Sequence, residues 1–259
     1  MRLDDYLRSR RQQKAPLIMT HVVCGYPSFE DNWRELEIMA SFGVDLVELQ
    51  FPFSEPSADG PLFVKANQLS IEQGTRLAQC FDFMKKVVEH FDVKVLMMGY
   101  YNTVFKMGHQ AFVDALVEAG ACGYIVPDLP LEEAGELHQL SEAVGLAPIL
   151  LMTPTNTDER LAKLGKAARG FVYAVARKGV TGSKTEMSNE TAAFLARCRA
   201  VTDLPVGVGF GVSEKGDLEF IDQSADIAII GSAALRAWEK GKDAALTAFF
   251  EQLGLKQTH

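Results

Sequence analysis

The feature that most constrains this chain is an alternation. Eight short apolar runs each lead into a segment of helical periodicity, and no linker separates the first half from the second. The runs lie at 15–23, 44–49, 93–98, 123–126, 147–152, 170–175, 204–208 and 225–230. Helical segments follow at 28–42, at 62–73 with 76–90, and at 109–119, 131–144, 157–167, 189–202 and 214–222. The last run is followed by 233–240 and 242–253. Several runs lack two-residue alternation, as strands covered on both faces do. Such strands alternating with helices imply parallel pairing through crossover helices. Eight units in 259 residues point to an α/β fold, a (β/α)8 TIM barrel spanning 1–259 as a single domain. Residues 1–13 read as an extra N-terminal amphipathic helix, a lid on the fold. An open doubly wound sheet is the alternative. It more often places phosphate-binding glycines after its first strand, whereas here the glycine-rich turns follow runs six, seven and eight.

Composition narrows the setting. A formal charge of −8 gives no support to nucleic-acid binding, yet leaves room for a small anion, which responds to local field. Cys24, Cys80, Cys122 and Cys198 are scattered without paired spacing, the pattern of reduced thiols in a cytosolic protein. The N-terminus carries charges where a signal peptide needs an apolar core. No apolar run approaches the roughly 20 residues of a membrane span. The expected location is the cytoplasm.

In a barrel the site is built at the C-terminal ends of the strands. At the end of the second run stands Glu48, a carboxylate inside an apolar strand, where an unpaired charge is costly. Such a group is either a general acid or base tuned by its apolar wall or half of a buried ion pair. A stiff loop with two prolines, Pro52 and Pro56, then leads to Asp59-Gly-Pro61. Asp59 has two readings, a second acid for the site or a helix cap ahead of Pro61. Gly209-Phe-Gly-Val-Ser213 and Gly231-Ser-Ala-Ala234 both lead from a strand into a helix. Free N–H groups at two helix starts make an anion cradle, and barrels often hold phosphate at these two positions. Arg177-Lys-Gly-Val-Thr-Gly-Ser183 has the glycines, hydroxyl and cations of a lid over an anion. Tyr173 could reach the cavity from its strand, although alone it reads as core. Tyr100, Asn102 and Asp128 also end strands, in a context where Asn and Asp favour turns. His21, a lone histidine in a strand, reads as structural, and no metal-ligand constellation is visible. Two acids and a phosphate site suggest proton-transfer chemistry on a small phosphorylated molecule, an aldol-type cleavage or an isomerisation. No lysine obviously ends a strand, which counts against a Schiff-base aldolase.

The stretch Glu48-Leu-Gln-Phe-Pro-Phe-Ser-Glu-Pro-Ser-Ala-Asp-Gly-Pro61 resembles the signature of the tryptophan synthase α subunit family. Gly99-Tyr-Tyr-Asn102, Pro127-Asp-Leu-Pro130, Arg177-Lys-Gly-Val-Thr-Gly182, Gly209-Phe-Gly-Val-Ser213 and Gly231-Ser232 agree with it in order and spacing. The resemblance implies a lyase that cleaves indole-3-glycerol phosphate to indole and glyceraldehyde 3-phosphate, a retro-aldol step in tryptophan biosynthesis. It implies Glu48 as the proton-transfer group and Asp59 as acceptor of the indole N–H. Phe210, Gly211, Gly231 and Ser232 would bind phosphate, and Tyr173, Thr181 and Gly182 would line the site or its lid. It also implies a β-subunit partner in an α2β2 heterotetramer that receives the indole and holds pyridoxal phosphate, with no cofactor in this chain. An alternative role is a phosphate-ligand-binding allosteric activator of the β subunit with little lyase activity. Against the family pattern, Gln50 stands where glycine is usual, Glu55 replaces an aspartate, and Ser57 and His21 replace apolar residues. Phe63-Val-Lys65 departs from the usual Ile-Gln segment.

Overall fold

The computed structural model describes residues 2–175, 189–209 and 211–257. Among them, nine strands form one all-parallel sheet: β1 (Leu17–Val23), β2 (Leu46–Gln50), β3 (Lys94–Met98), β4 (Gly123–Ile125), β5 (Ala147–Pro148), β6 (Leu150–Met152), β7 (Val172–Val175), β8 (Val206–Gly209) and β9 (Ile227–Ile230). The order is β5-β4-β3-β2-β1-β9-β8-β7-β6. The two ends of this list, β5 and β6, are consecutive pieces of chain separated by Ile149 alone. The sheet therefore closes on itself covalently, as a barrel of eight staves. The fifth stave, read from sequence as one run, is split where Pro148 lacks an N–H for the ladder.

Helices alternate with the strands: α1 (Leu3–Arg11), α2 (Phe29–Ser41), α3 (Pro61–Glu72), α4 (Leu77–His90), α5 (Tyr101–Met107), α6 (His109–Glu118), α7 (Gly135–Val144), α8 (Asp158–Ala167), α9 (Asn189–Arg199), α10 (Lys215–Ser224) and α11 (Ser232–Gln252). The last is broken by non-helical backbone at Gly241 and Lys242, the point where the sequence separates two helices. Asn102, read as a turn residue at a strand end, lies instead in the first turn of α5. The Tyr101 amide donates to Asp128 Oδ1 at 2.8 Å and starts α5 there. Asp128 itself lies in a turn, which the Leu129 amide closes on the Val126 carbonyl at 3.3 Å. The expected helix 131–144 opens with a single 3-10 turn before α7.

Alternation along each strand sorts the side chains into two layers. Ile18, Val22, Val47, Leu49, Val95 and Met97 face outward and pack against the helices. Leu17, Met19, Leu46, Leu96, Phe171 and Ile229 face inward and fill the barrel. α1 joins this inner cluster through Leu3 and Leu7, so it plugs the N-terminal end. Its position is fixed by Asp45, just ahead of β2. Asp45 accepts hydrogen bonds from Arg10 Nε (2.9 Å), Lys14 Nζ (2.8 Å) and the Ile18 amide (2.9 Å). The buried carboxylate is thus paired and fully engaged, as burial requires. The plug leaves the opposite, C-terminal end for a ligand.

Leu7→Ala is expected to lower stability by about 2–5 kcal/mol, because Leu7 is fully buried and its cavity would lie under a closed barrel. Denaturant unfolding checks the loss. kcat should stay within about twofold of wild type, since catalysis is assigned to the other end of the barrel.

Candidate active site

A cavity of about 340 Å³ opens at the C-terminal ends of the strands. Six of the expected site residues line it together: Glu48, Asp59, Tyr173, Gly211, Gly231 and Ser232. Thr181, Gly182 and Phe210 lie outside the described residues, as does the expected lid at 177–183. The wall between the polar ends is apolar, formed by Phe63, Met98, Ile125, Leu151 and Ile229. A planar aromatic ring finds contact there and few hydrogen-bond demands.

Glu48 is the third residue of β2 and points inward between His21 of β1 and Leu96 of β3. Its residue is 3% exposed. Among the described residues Oε2 has no hydrogen-bond partner, and the nearest cation-forming group is His21 Nδ1, 3.9 Å from Oε1. The ion-pair reading of Glu48 finds no charged partner among the described residues, since His21 is itself held neutral. Burial pulls the imidazole down to about 4. Burial first, and the nearby Asp59 second, push the Glu48 carboxyl up to about 8. Glu48 is accordingly a neutral acid at pH 7. Glu35 on α2 is a useful contrast. Burial also pushes it up to about 8, but Asn32 Nδ2 donates to it at 3.2 Å, and it lies among the residues that α2 buries. A shifted pKa alone does not mark a site; an unpartnered oxygen on a cavity wall does more.

Asp59 resolves its two readings through its hydrogen bonds. The N-cap of α3 is Gly60, with Pro61 at the first helical position and no side-chain cap. The Asp59 carboxylate instead accepts from Gln50 Nε2 (2.7 Å) and from the Tyr100 hydroxyl (2.9 Å), both at Oδ2. The Tyr100 hydroxyl in turn accepts from the Ala58 amide at 3.1 Å, and its ring stacks on Phe53. The Asn67 side chain accepts from the Phe53 amide at 2.9 Å, which ties the loop to α3. Burial raises the Asp59 pKa, and the two hydrogen bonds oppose that rise.

At the other end, Gly231 precedes α11, so the Ser232 and Ala233 amides have no intrahelical acceptor. Gly211 adopts a φ of +86°, a conformation natural to glycine. The start of α10 is less available than the sequence suggests. The Ser213 and Glu214 amides both donate to Asp217 Oδ2, at 2.7 and 3.0 Å. Gly209 also has a different task. A Cβ there would lie 2.5 Å from the Tyr173 hydroxyl, so this glycine makes room for the tyrosine.

Arg236 escaped sequence reasoning, and His21, Gln50 and Tyr100 were visible in it without the parts they play here. His21 lines the cavity, stacked on Phe63 at 4.2 Å, although it reads as structural. Gln50 and Tyr100 hold Asp59. Arg236, one turn into α11, lines the cavity and donates to Ser232 Oγ at 3.2 Å. The signal for Arg236 was its spacing of four from Ser232, which puts both on one helix face.

A family model described as tryptophan synthase alpha chain matches residues 7–258. The chain belongs to the tryptophan synthase alpha chain family. Members of this family cleave indole-3-glycerol phosphate to indole and glyceraldehyde 3-phosphate in tryptophan biosynthesis. The tryptophan synthase alpha chain of Syntrophotalea carbinolica is 44% identical over 251 residues, covering 97% of this chain and 99% of that one. That of Desulforapulum autotrophicum is 46% identical over 237 residues, covering 92% and 94%. Among solved structures, a chain of Mycobacterium tuberculosis tryptophan synthase superposes with a TM-score of 0.90 at 32% identity, covering 99% of each. A chain of the Pyrococcus furiosus tryptophan synthase a2b2 complex gives 0.85 at 28% identity, covering 93% of this chain and 98% of that one.

Proposed function

We propose that this chain performs the lyase reaction of its family with Glu48 as proton carrier and Asp59 as acceptor of the indole N–H. The observation that carries the reading is the pairing of an unpartnered, neutral Glu48 with a hydrogen-bonded Asp59 on one cavity. Glycine turns and Arg236 border the same cavity. The indole ring would lie against the apolar wall, with the phosphate between Gly211, the Ser232 and Ala233 amides and Arg236.

The chemistry balances on one carboxyl group. Neutral Glu48 gives its proton to indole C3, and the ring becomes a cationic indolenine. Glu48, now a carboxylate, takes the proton of the hydroxyl on the adjoining side-chain carbon. That oxygen forms the aldehyde C=O, the bond from its carbon to C3 breaks, and the electron pair returns to the ring. Indole and glyceraldehyde 3-phosphate result, and Glu48 is neutral again. Asp59 stabilises the ring cation through N1–H, where its charge counts most in a site of low dielectric.

The outer face of the 51–60 loop, with Glu55 and Ser57 exposed, is the expected contact for a β subunit. The reading places the chain in the cytoplasm, in an α2β2 heterotetramer whose β subunit holds pyridoxal phosphate and receives the indole. Among the described residues no helix is long and apolar enough to cross a membrane, and no metal-binding cluster of His, Cys, Asp or Glu occurs.

Incubation with indole-3-glycerol phosphate, with and without a β subunit, tests the reading. Indole release is expected, and its absence from both mixtures would refute it. Arg236→Met should raise KM about five- to tenfold, the lower range for a hydrogen bond to a charged group at an exposed position, with kcat within about twofold. That split is the sign of binding lost equally in ground and transition states.

A further inference from the structure

Gln50 is fully buried two residues beyond Glu48, on the same interior face of β2. Its amide bridges two strands and a loop. Nε2 reaches Asp59 Oδ2 at 2.7 Å, and Oε1 reaches His21 Nε2 at 2.8 Å. An ionised carboxylate accepts and cannot donate, so the NH2 end must face Asp59. The carbonyl end is then left for His21, and Nε2 of the neutral imidazole must carry the hydrogen. Its other nitrogen, Nδ1, is thereby a bare lone pair. Stacking on Phe63 keeps that nitrogen on the side of Glu48, at 3.9 Å from Oε1. A lone pair there favours a protonated neighbour and repels a carboxylate.

We propose that Gln50 is a positioning residue that sets the two acids in opposite states, holding Asp59 ionised directly and Glu48 protonated through the tautomer of His21. The inference rests on the assignment of Glu48 and Asp59 as the working acids. The groups that face them among the described residues are few. Glu48 meets His21 from β1, Asp59 from the loop and Tyr173 from β7. Asp59 meets Gln50, Tyr100, Glu48 and Tyr173. Of these, only the amide of Gln50 touches both Asp59 and His21.

Gln50→Met keeps the length of the side chain and removes both hydrogen bonds. The first measurement is the pH profile of kcat/KM with indole-3-glycerol phosphate. Its acidic limb, set by Asp59, should move to higher pH and its alkaline limb, set by Glu48, to lower pH. The maximum should fall about ten- to a hundredfold, the worth of a hydrogen bond to a charged group. The second is 15N NMR of histidine-labelled protein, with the His21 signal assigned through its loss in His21→Phe. Wild type should show the Nε2–H tautomer and Gln50→Met a mixture. Gln50→Glu serves if the methionine variant does not fold. Its carboxyl still accepts from His21, so the tautomer should persist. Beside Asp59 it must share a proton, so the acidic limb should again move up. Unmoved limbs with an unchanged tautomer in Gln50→Met, or an unmoved acidic limb in Gln50→Glu, would overturn the bridge alone. A wild-type rate in Asp59→Asn would overturn the acid assignment and the bridge with it.

Discussion

Glu48→Gln is expected to lower kcat by about 10²–10⁴, the range for loss of a positioned general acid or base, with KM changed little. The amide fits the same space on β2 and cannot carry a proton. The pH dependence follows from the same group. Glu48 is pushed up to about 8, so the acid form is present below that value and disappears above it. Wild-type kcat/KM should therefore decline as pH rises through about 8, and the residual activity of Glu48→Gln should lack that limb. Stability gives an independent check. Between about 4.5 and about 8 the folded protein keeps a proton on Glu48 that the unfolded chain has released. Stability therefore falls with rising pH across that window. Glu48→Gln is exempt from this loss, because an unpaired amide costs less to bury than a charge. Its melting temperature relative to wild type should climb from pH 5 to pH 8 and level off above. A kcat near wild type, or a relative melting temperature that ignores pH, would remove Glu48 from its role.

The fold was written in the chain more openly than the site. The barrel follows from the repeat of covered strands and amphipathic helices, and each unit repeats the same packing problem. Where prediction slipped, a local residue overrode the repeat. Pro148 cut the fifth stave, and Asp128 accepts from the first amide of α5, which takes in Asn102, read as a turn residue. Glu48 was legible because a carboxylate inside an apolar strand conflicts with its surroundings, and such conflicts concentrate at functional sites. Asp59 was ambiguous because a helix cap and a site acid look alike in sequence. Only the positions of Gln50 and Tyr100, nine residues before and 41 residues after it, distinguish the two. Gln50 itself gave no signal of purpose. Its partners lie on another strand and a loop, and that closeness arises only when β1 and β2 pair in register, His21 beside Glu48 and Val23 beside Gln50. The glycines carry a similar ambiguity. Gly209 looks like part of an anion cradle, yet the volume of Tyr173 on the neighbouring strand decides its identity.

Asp59→Asn tests the other acid, and its effect should fall on kcat rather than on KM. The variant keeps the local architecture, because Gln50 Nε2 and the Tyr100 hydroxyl can both donate to an asparagine oxygen as they do to Asp59 Oδ2. What it loses is the negative charge opposite the ring nitrogen. In the ground state that nitrogen is a neutral N–H and the loss is one hydrogen bond among many contacts. In the transition state the ring carries a developing positive charge, and a fixed carboxylate in a water-poor cavity stabilises it strongly. The expected fall in kcat is about 10²–10³, the range seen when one preorganised electrostatic group is removed. Substrate methylated at the indole nitrogen separates the hydrogen bond from the charge. Wild type should turn it over more slowly than the parent compound, because the donor to Asp59 is gone. Asp59→Asn should discriminate much less between the two, since its asparagine has no charge for the N–H bond to reinforce. If Asp59→Asn instead penalises the methylated substrate as heavily as wild type does, the N–H is read elsewhere on the cavity wall, and Asp59 acts only as an anchor for the loop.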